Sequence, residues 1–242
     1  MSVAEKLASA LGRNDERPNV ALARELAAAP DDAAIAELAG LLTAGDRPVR
    51  HDAIKVLYEL GERRPELIAP HLDVFVSLLQ TRDNRMLWGA LSALAALGTT
   101  KPHELAARLD AILAAADRGS VIARDKAMKL LSDLNARPDL ERRAFKWNRF
   151  AALSLCGRIV LCAKPVSTFA HDALNPRITP ILLQRLSEAA VNQVPMYAEF
   201  AAPTIAETDK PAFRRIVETW RDKIPMPAKK KRLEKVLKQI DR

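Results

Sequence analysis

A shift of 37 residues lays one stretch of this sequence onto the next, and no other feature constrains the fold so tightly. The shift aligns Ala53, Ala90 and Ala127; Ile54, Leu91 and Met128; Leu57, Leu94 and Leu131; and Leu60, Leu97 and Leu134. It also relates Pro65 to Pro102, Leu72 to Leu109, Phe75 to Ile112 and Val76 to Leu113. Apolar positions three and four apart are the mark of amphipathic helices, so each unit reads as two helices, with Pro in the first turn of one of them. Asp46 and Asp83 precede successive helices, where a short acid can accept from free N–H groups. Gly61 and Gly98 read as left-handed C-terminal caps. One such pair cannot bury its apolar faces alone, so the units must stack.

Composition agrees. The chain of 242 residues is 49% apolar, with 5% aromatic residues and only 8 Gly, which disfavours a sandwich or a nucleotide-binding α/β fold. Met1 to Glu16 has neither the basic region nor the long apolar run of an export signal, since Lys6, Arg13, Asp15 and Glu16 interrupt it. The longest apolar stretch, Phe150 to Ala163, contains Arg158 and falls short of the roughly 20 residues a spanning helix needs. A cytoplasmic protein without membrane contact is expected. Cys156 and Cys162 match no metal-ligand or disulfide spacing and read as buried thiols.

The run from Asp46 to Ala53, followed by Leu57 and Leu60, resembles the HEAT-repeat signature, with Arg50 and Arg124 in one phase and Leu87 departing from it. Longer stretches, IKVLYELGERRPELIAPHLDVFVSLL, NRMLWGALSALAAL and DRGSVIARDKAMKLL, are similar to bacterial HEAT-repeat proteins of unassigned function. The resemblance spans about Met1 to Leu134 and resumes from Ile178 to Ile240. It implies an all-α fold, an α-α superhelix of antiparallel helix pairs, and says much less about activity.

On this reading residues 1–242 form one solenoid. Residues 1–46 make a capping pair, with stripes at Val20, Leu22 and Leu26 and at Ile35, Leu38, Leu41 and Leu42. Residues 47–136 carry three regular inner helices. Residues 137–177 fit the period poorly, because Lys146 falls where Leu72 and Leu109 stood, and read as an inserted or remodelled segment. Residues 178–242 return to helical spacing and end in a helix from Ala228 to Ile240 that buries Leu233, Val236, Leu237 and Ile240.

Charge is loaded at one end. Residues 210–242 hold 12 Lys or Arg against 4 Asp or Glu, a balance equal to the whole chain's +8, so the rest is neutral in sum. A solenoid that tracks a phosphate backbone should carry positive charge through many repeats. The dense cluster Lys229, Lys230, Lys231 and Arg232 suits a soluble end cap, with contact to nucleic acid or an acidic partner as the alternative.

No catalytic constellation passes a spacing test. His51, His71, His103 and His171 form no zinc pattern, and phosphate loops, nucleophile elbows and paired-carboxylate motifs are lacking, so no enzyme, metal or cofactor is expected. Projection at 100° per residue puts positions 52, 55 and 59 opposite the core face of the first inner helix. The corresponding columns are Asp52, Gly89 and Lys126; Lys55, Ser92 and Lys129; and Glu59, Ala96 and Asp133, with Trp88 at the margin. These columns are the expected surface for a protein partner, with Gly89, Ser92 and Ala96 leaving room for its chain. The leading function is a non-enzymatic interaction scaffold or adaptor. The alternative is a HEAT-like nucleic-acid-binding protein with a link to DNA repair, for which Trp88, Asp52 and Asp125 would matter. An enzyme-assembly or lyase-like accessory role is a third reading.

Overall fold

The computed structural model describes residues 2–137 and 175–241, without the side chains of residues 175–177. The readings of residues 138–174, among them the inserted segment and Cys156 and Cys162, lie outside the described residues. Those described are helical, with turns and no strand. They divide into two compact units, Met1–Leu130 and Leu131–Arg242, and the boundary falls inside one helix.

In the first unit α1 (Arg17–Ala28) and α2 (Asp32–Ala44) form the first pair, and α3 (Arg47–Arg63) follows. The 37-residue period then sets α6 (Asn84–Ala96) and α9 (Val121–Asn135) in the phase of α3. Helix α3 packs against α1, α2 and α6. That three-sided contact buries Ala53, Ile54, Val56, Leu57, Tyr58 and Leu60 in a single helix. At about 25 cal/mol per Å² of apolar surface, such burial offsets part of the chain entropy lost on ordering it.

The intervening helices are broken, where the period predicts single ones. The first is α4 (Pro65–Ile68), a 3-10 turn at Ala69–His71, then α5 (Leu72–Ser77). Pro70 lacks the N–H that an uninterrupted helix would use, and the chain tightens there. The second splits into α7 (Pro102–Ala107) and α8 (Leu109–Arg118), with the Arg108 N–H bonded to the Leu105 carbonyl at 3.0 Å.

Caps and glycines also differ in part from expectation. The Asp83 carboxylate accepts from the N–H groups of Arg85 and Met86, as a cap should, whereas the Asp46 side chain makes no cap bond. Gly61 and Gly98 are not left-handed; among the described residues the one glycine with positive φ is Gly12, at 64°. Gly61 lies inside α3, where a Cβ would sit 2.4 Å from Ile68 Cδ1, so its role is close packing. Ahead of α1, a 3-10 turn at Val3–Lys6 leads into Leu7, which is fully buried.

In the second unit the end of α9 is followed by α10 (Asn175–Ser187), α11 (Val194–Ala201), α12 (Lys210–Lys223) and α13 (Pro227–Ile240). Asn135 ties three of its segments together. Its amide donates to the Thr204 carbonyl at 2.8 Å, and its oxygen accepts from the Thr179 hydroxyl at 2.8 Å. Trp220 Nε1 donates to the Leu186 carbonyl at 3.2 Å. Leu233, Val236, Leu237 and Ile240 are the buried residues of α13, as their spacing predicts.

Candidate partner-binding surface

The columns at 52, 55 and 59 do not form an open wedge. The projection assumed one buried face per helix, but α3 is contacted from three sides, so its buried arc is wider. Asp52 is 8% exposed, and its two oxygens accept from the Asn19 amide and from the Ser9 N–H, each at 2.7 Å. It joins the N-terminal segment to α3. Ser92 is 1% exposed, and its hydroxyl donates back to the Trp88 carbonyl at 2.9 Å. The room expected beside Gly89 is filled from within: a Cβ there would lie 2.6 Å from Ile54 Cγ1.

Lys55 and Glu59 are half-buried and paired. The Lys55 ammonium lies 2.9 Å from Glu59 and 3.1 Å from Glu16, and Glu59 also holds Arg63 at 2.7 Å. Burial alone would lower the Lys55 pKa, but Tyr58, Glu59 and Glu16 outweigh it and hold the ammonium charged. Burial likewise raises the Glu59 carboxyl, and Arg63 and Lys55 bring it below its ordinary value.

Trp88 stands half-exposed on α6, its ring 5.4 Å from that of Tyr58 on α3 and tilted by 55°. Lys55 lies over the other aromatic, 4.8 Å from the Tyr58 centroid. The sequence projection singled out Trp88 and missed Tyr58. A signal was there: Trp88 has the phase of His51, and Tyr58 lies two turns beyond His51 on the same face.

Two ion pairs pass over a neighbouring helix. Glu16, at the start of α1, meets Arg85 of α6 at 2.5 Å, and Glu62 of α3 meets Lys126 of α9 at 3.1 Å. In a flat row with axes about 8–10 Å apart, helices two apart would stand about 16–20 Å from each other, beyond the reach of most such pairs. This side of the first unit is therefore drawn in around the aromatic pair. Lys129 lies one turn beyond Lys126 and is half-buried, while Asp133, also half-buried, belongs to the second unit.

The basic cluster is part of the second unit and is tied down in part. Lys229 bonds Asn192, and the Arg232 guanidinium grips Glu199 with Nε at 2.8 Å and Nη2 at 2.5 Å. Arg232 holds the Glu199 carboxyl below its usual range. Lys230 and Lys231 are exposed.

A designed armadillo repeat protein in complex with the peptide (KR)4 superposes with a TM-score of 0.59 at 14% identity, over 93% of this chain and 91% of its own. The fold is an all-α repeat fold similar to that of armadillo repeat proteins. Computationally designed armadillo repeat proteins for modular peptide recognition give a TM-score of 0.56 at 15% identity, covering 98% of each chain. An engineered protein gives 0.55 at 19% identity, over 100% of this chain and 97% of its own. No protein-family model and no curated protein matches the sequence. At these identities the likeness to other repeat proteins concerns the fold alone. Among the described residues, no group of three or more His, Cys, Asp or Glu is arranged to hold a metal ion, and no helix is long and apolar enough to cross a membrane.

Proposed function

We propose that the drawn-in side of the first unit binds an extended segment of a partner protein, and that the chain acts as a non-enzymatic scaffold or adaptor. The observation that carries this reading is the Tyr58–Trp88 pair, a half-exposed tryptophan held by a buried ring. Tryptophan and tyrosine supply large contact area at low entropic cost, and energetic anchors of interfaces are enriched in them. Around the pair, Lys55, Glu59, Glu62 and Lys126 are already positioned by their mutual ion pairs. A polar rim of this kind favours one register of a bound chain. Designed relatives in fold hold peptides, which supports the same use of the fold here.

The roles of the expected contact residues divide accordingly. Trp88, Lys126 and Lys129 offer side-chain surface to the partner. Asp52, Lys55, Glu59 and Ser92 shape that surface from beneath through their internal bonds.

Affinity capture from nuclease-treated native extract tests the reading with three proteins: wild type, Trp88→Ala/Lys129→Glu, and a tail variant with Lys229, Lys230 and Lys231 changed to Gln. Partner protein retained by wild type and the tail variant, and lost by the first variant at unchanged melting temperature, is the expected result. Capture that is lost only with the tail charges, or that disappears on nuclease treatment, would overturn it in favour of nucleic acid.

A further inference from the structure

The first unit contains an open cavity of about 560 Å³ that the partner-binding reading does not use. Its lining includes Ser9, Arg13, Arg47, His51, Asp52 and Arg85. Three arginines from separate segments line it: Arg13 from the turn before α1, Arg47 from the first turn of α3, and Arg85 from the first turn of α6.

Each guanidinium is aimed by a carboxylate and not exhausted by it. Arg13 donates from Nε and Nη2 to Asp15, Arg47 from Nε to Asp83 at 3.2 Å, and Arg85 from Nη2 to Glu16 at 2.5 Å. A guanidinium has five N–H donors in a rigid fork, so each of the three retains donors for a further acceptor. His51 is fixed by Asp83 at 2.8 Å. The lining carboxylate, Asp52, has one oxygen on the Ser9 N–H and the other on Asn19. The Ser9 hydroxyl is shielded from solvent and has no partner. A buried hydroxyl without a bond is costly.

We infer that this cavity binds a small molecule bearing phosphate, with the phosphate held between Arg13, Arg47 and Arg85. Planar guanidinium forks match phosphate oxygens in pairs, whereas ammonium groups meet them as point charges. Three forks at one cavity, with no lysine in the lining, fit phosphate better than a general anion attraction does. The volume falls in the range of small-molecule sites, about 300–1,000 Å³, and leaves room beyond the phosphate itself. Apart from Gly12 and Pro48 the rest of the lining carries polar side chains, which leaves hydrogen-bonding groups for a hydroxylated ligand.

The test is calorimetric titration of the full chain with inorganic pyrophosphate and with a sugar phosphate, at ionic strength held constant with chloride. Saturable binding is expected, weakened about tenfold or more in Arg13→Gln/Arg85→Gln. Glu16 keeps Lys55 as a partner in the double variant, and Arg13→Gln alone changes an exposed position, so folding is checked by melting temperature for each. Absence of binding up to millimolar pyrophosphate and sugar phosphate would overturn the inference. So would binding that the Gln variants leave unchanged, or binding of a phosphopeptide but of neither small phosphate. Trp88→Ala should bind pyrophosphate as wild type does, which separates this site from the proposed partner surface.

Discussion

Lys126 and Glu62 meet at 3.1 Å although α6 stands between their helices in the repeat order. The pair is a direct sign that the inner side of the first unit is drawn in. It is partly exposed, at 32% and 46% for the two side chains, so its energy is small. A double-mutant cycle with Lys126→Ala and Glu62→Ala is expected to give a coupling of no more than about 1 kcal/mol, shrinking as salt rises. A coupling of several kcal/mol in urea unfolding would contradict this.

Two glycines should respond in opposite directions to the same substitution. Gly40 is exposed in α2 and a Cβ there meets nothing within 4 Å, so Gly40→Ala should stabilise by about 0.5–1 kcal/mol through chain entropy and helix propensity. Gly89 faces Ile54 across the α3–α6 contact, with Ile54 Cγ1 at 2.6 Å from an added Cβ. Gly89→Ala should destabilise by about 1–3 kcal/mol despite the better helix former. Thermal melting of the two variants decides both signs.

Asp52 was expected to meet a partner and instead holds the N-terminal segment. Asp52→Ala leaves the fully buried Asn19 amide and the Ser9 N–H without their acceptor, at a cost of about 2–4 kcal/mol. Hydrogen exchange should show the loss first in residues 3–12. Equal protection of that segment in wild type and variant would refute this role.

Asp83 makes stability depend on acid. Burial pushes its pKa up, but the His51 imidazole and the N–H groups of Met86 and Arg85 outweigh it and hold the carboxyl down at about 2, against 3.8 unperturbed. A carboxyl with a depressed folded pKa stabilises above its unfolded value and loses that contribution as pH falls toward the folded one. The stabilisation is therefore present above about pH 4 and is lost toward pH 2, and amounts to about 1–2 kcal/mol. Urea unfolding at about pH 5 and about pH 2.5 should show a smaller acid loss in Asp83→Asn than in wild type. Identical losses would exclude the linkage.

The sequence by itself determined the helical period, the residues of the core stripe and the last helix. Ala53, Ile54, Leu57 and Leu60 repeat at helical spacing because they must meet neighbours of identical geometry, and Leu233, Val236, Leu237 and Ile240 do so in α13. Tertiary structure alone decided which polar positions stay open. Periodicity measures one helix against an average environment, whereas α3 is enclosed by α1, α2 and α6 at once, so Asp52 and the Gly89–Ser92 row lie inside the packing. The same holds for the cavity lined by Arg13, Arg47 and Arg85. Arg13 lies outside the repeats, and only the folding of the N-terminal segment brings it beside Arg47 and Arg85.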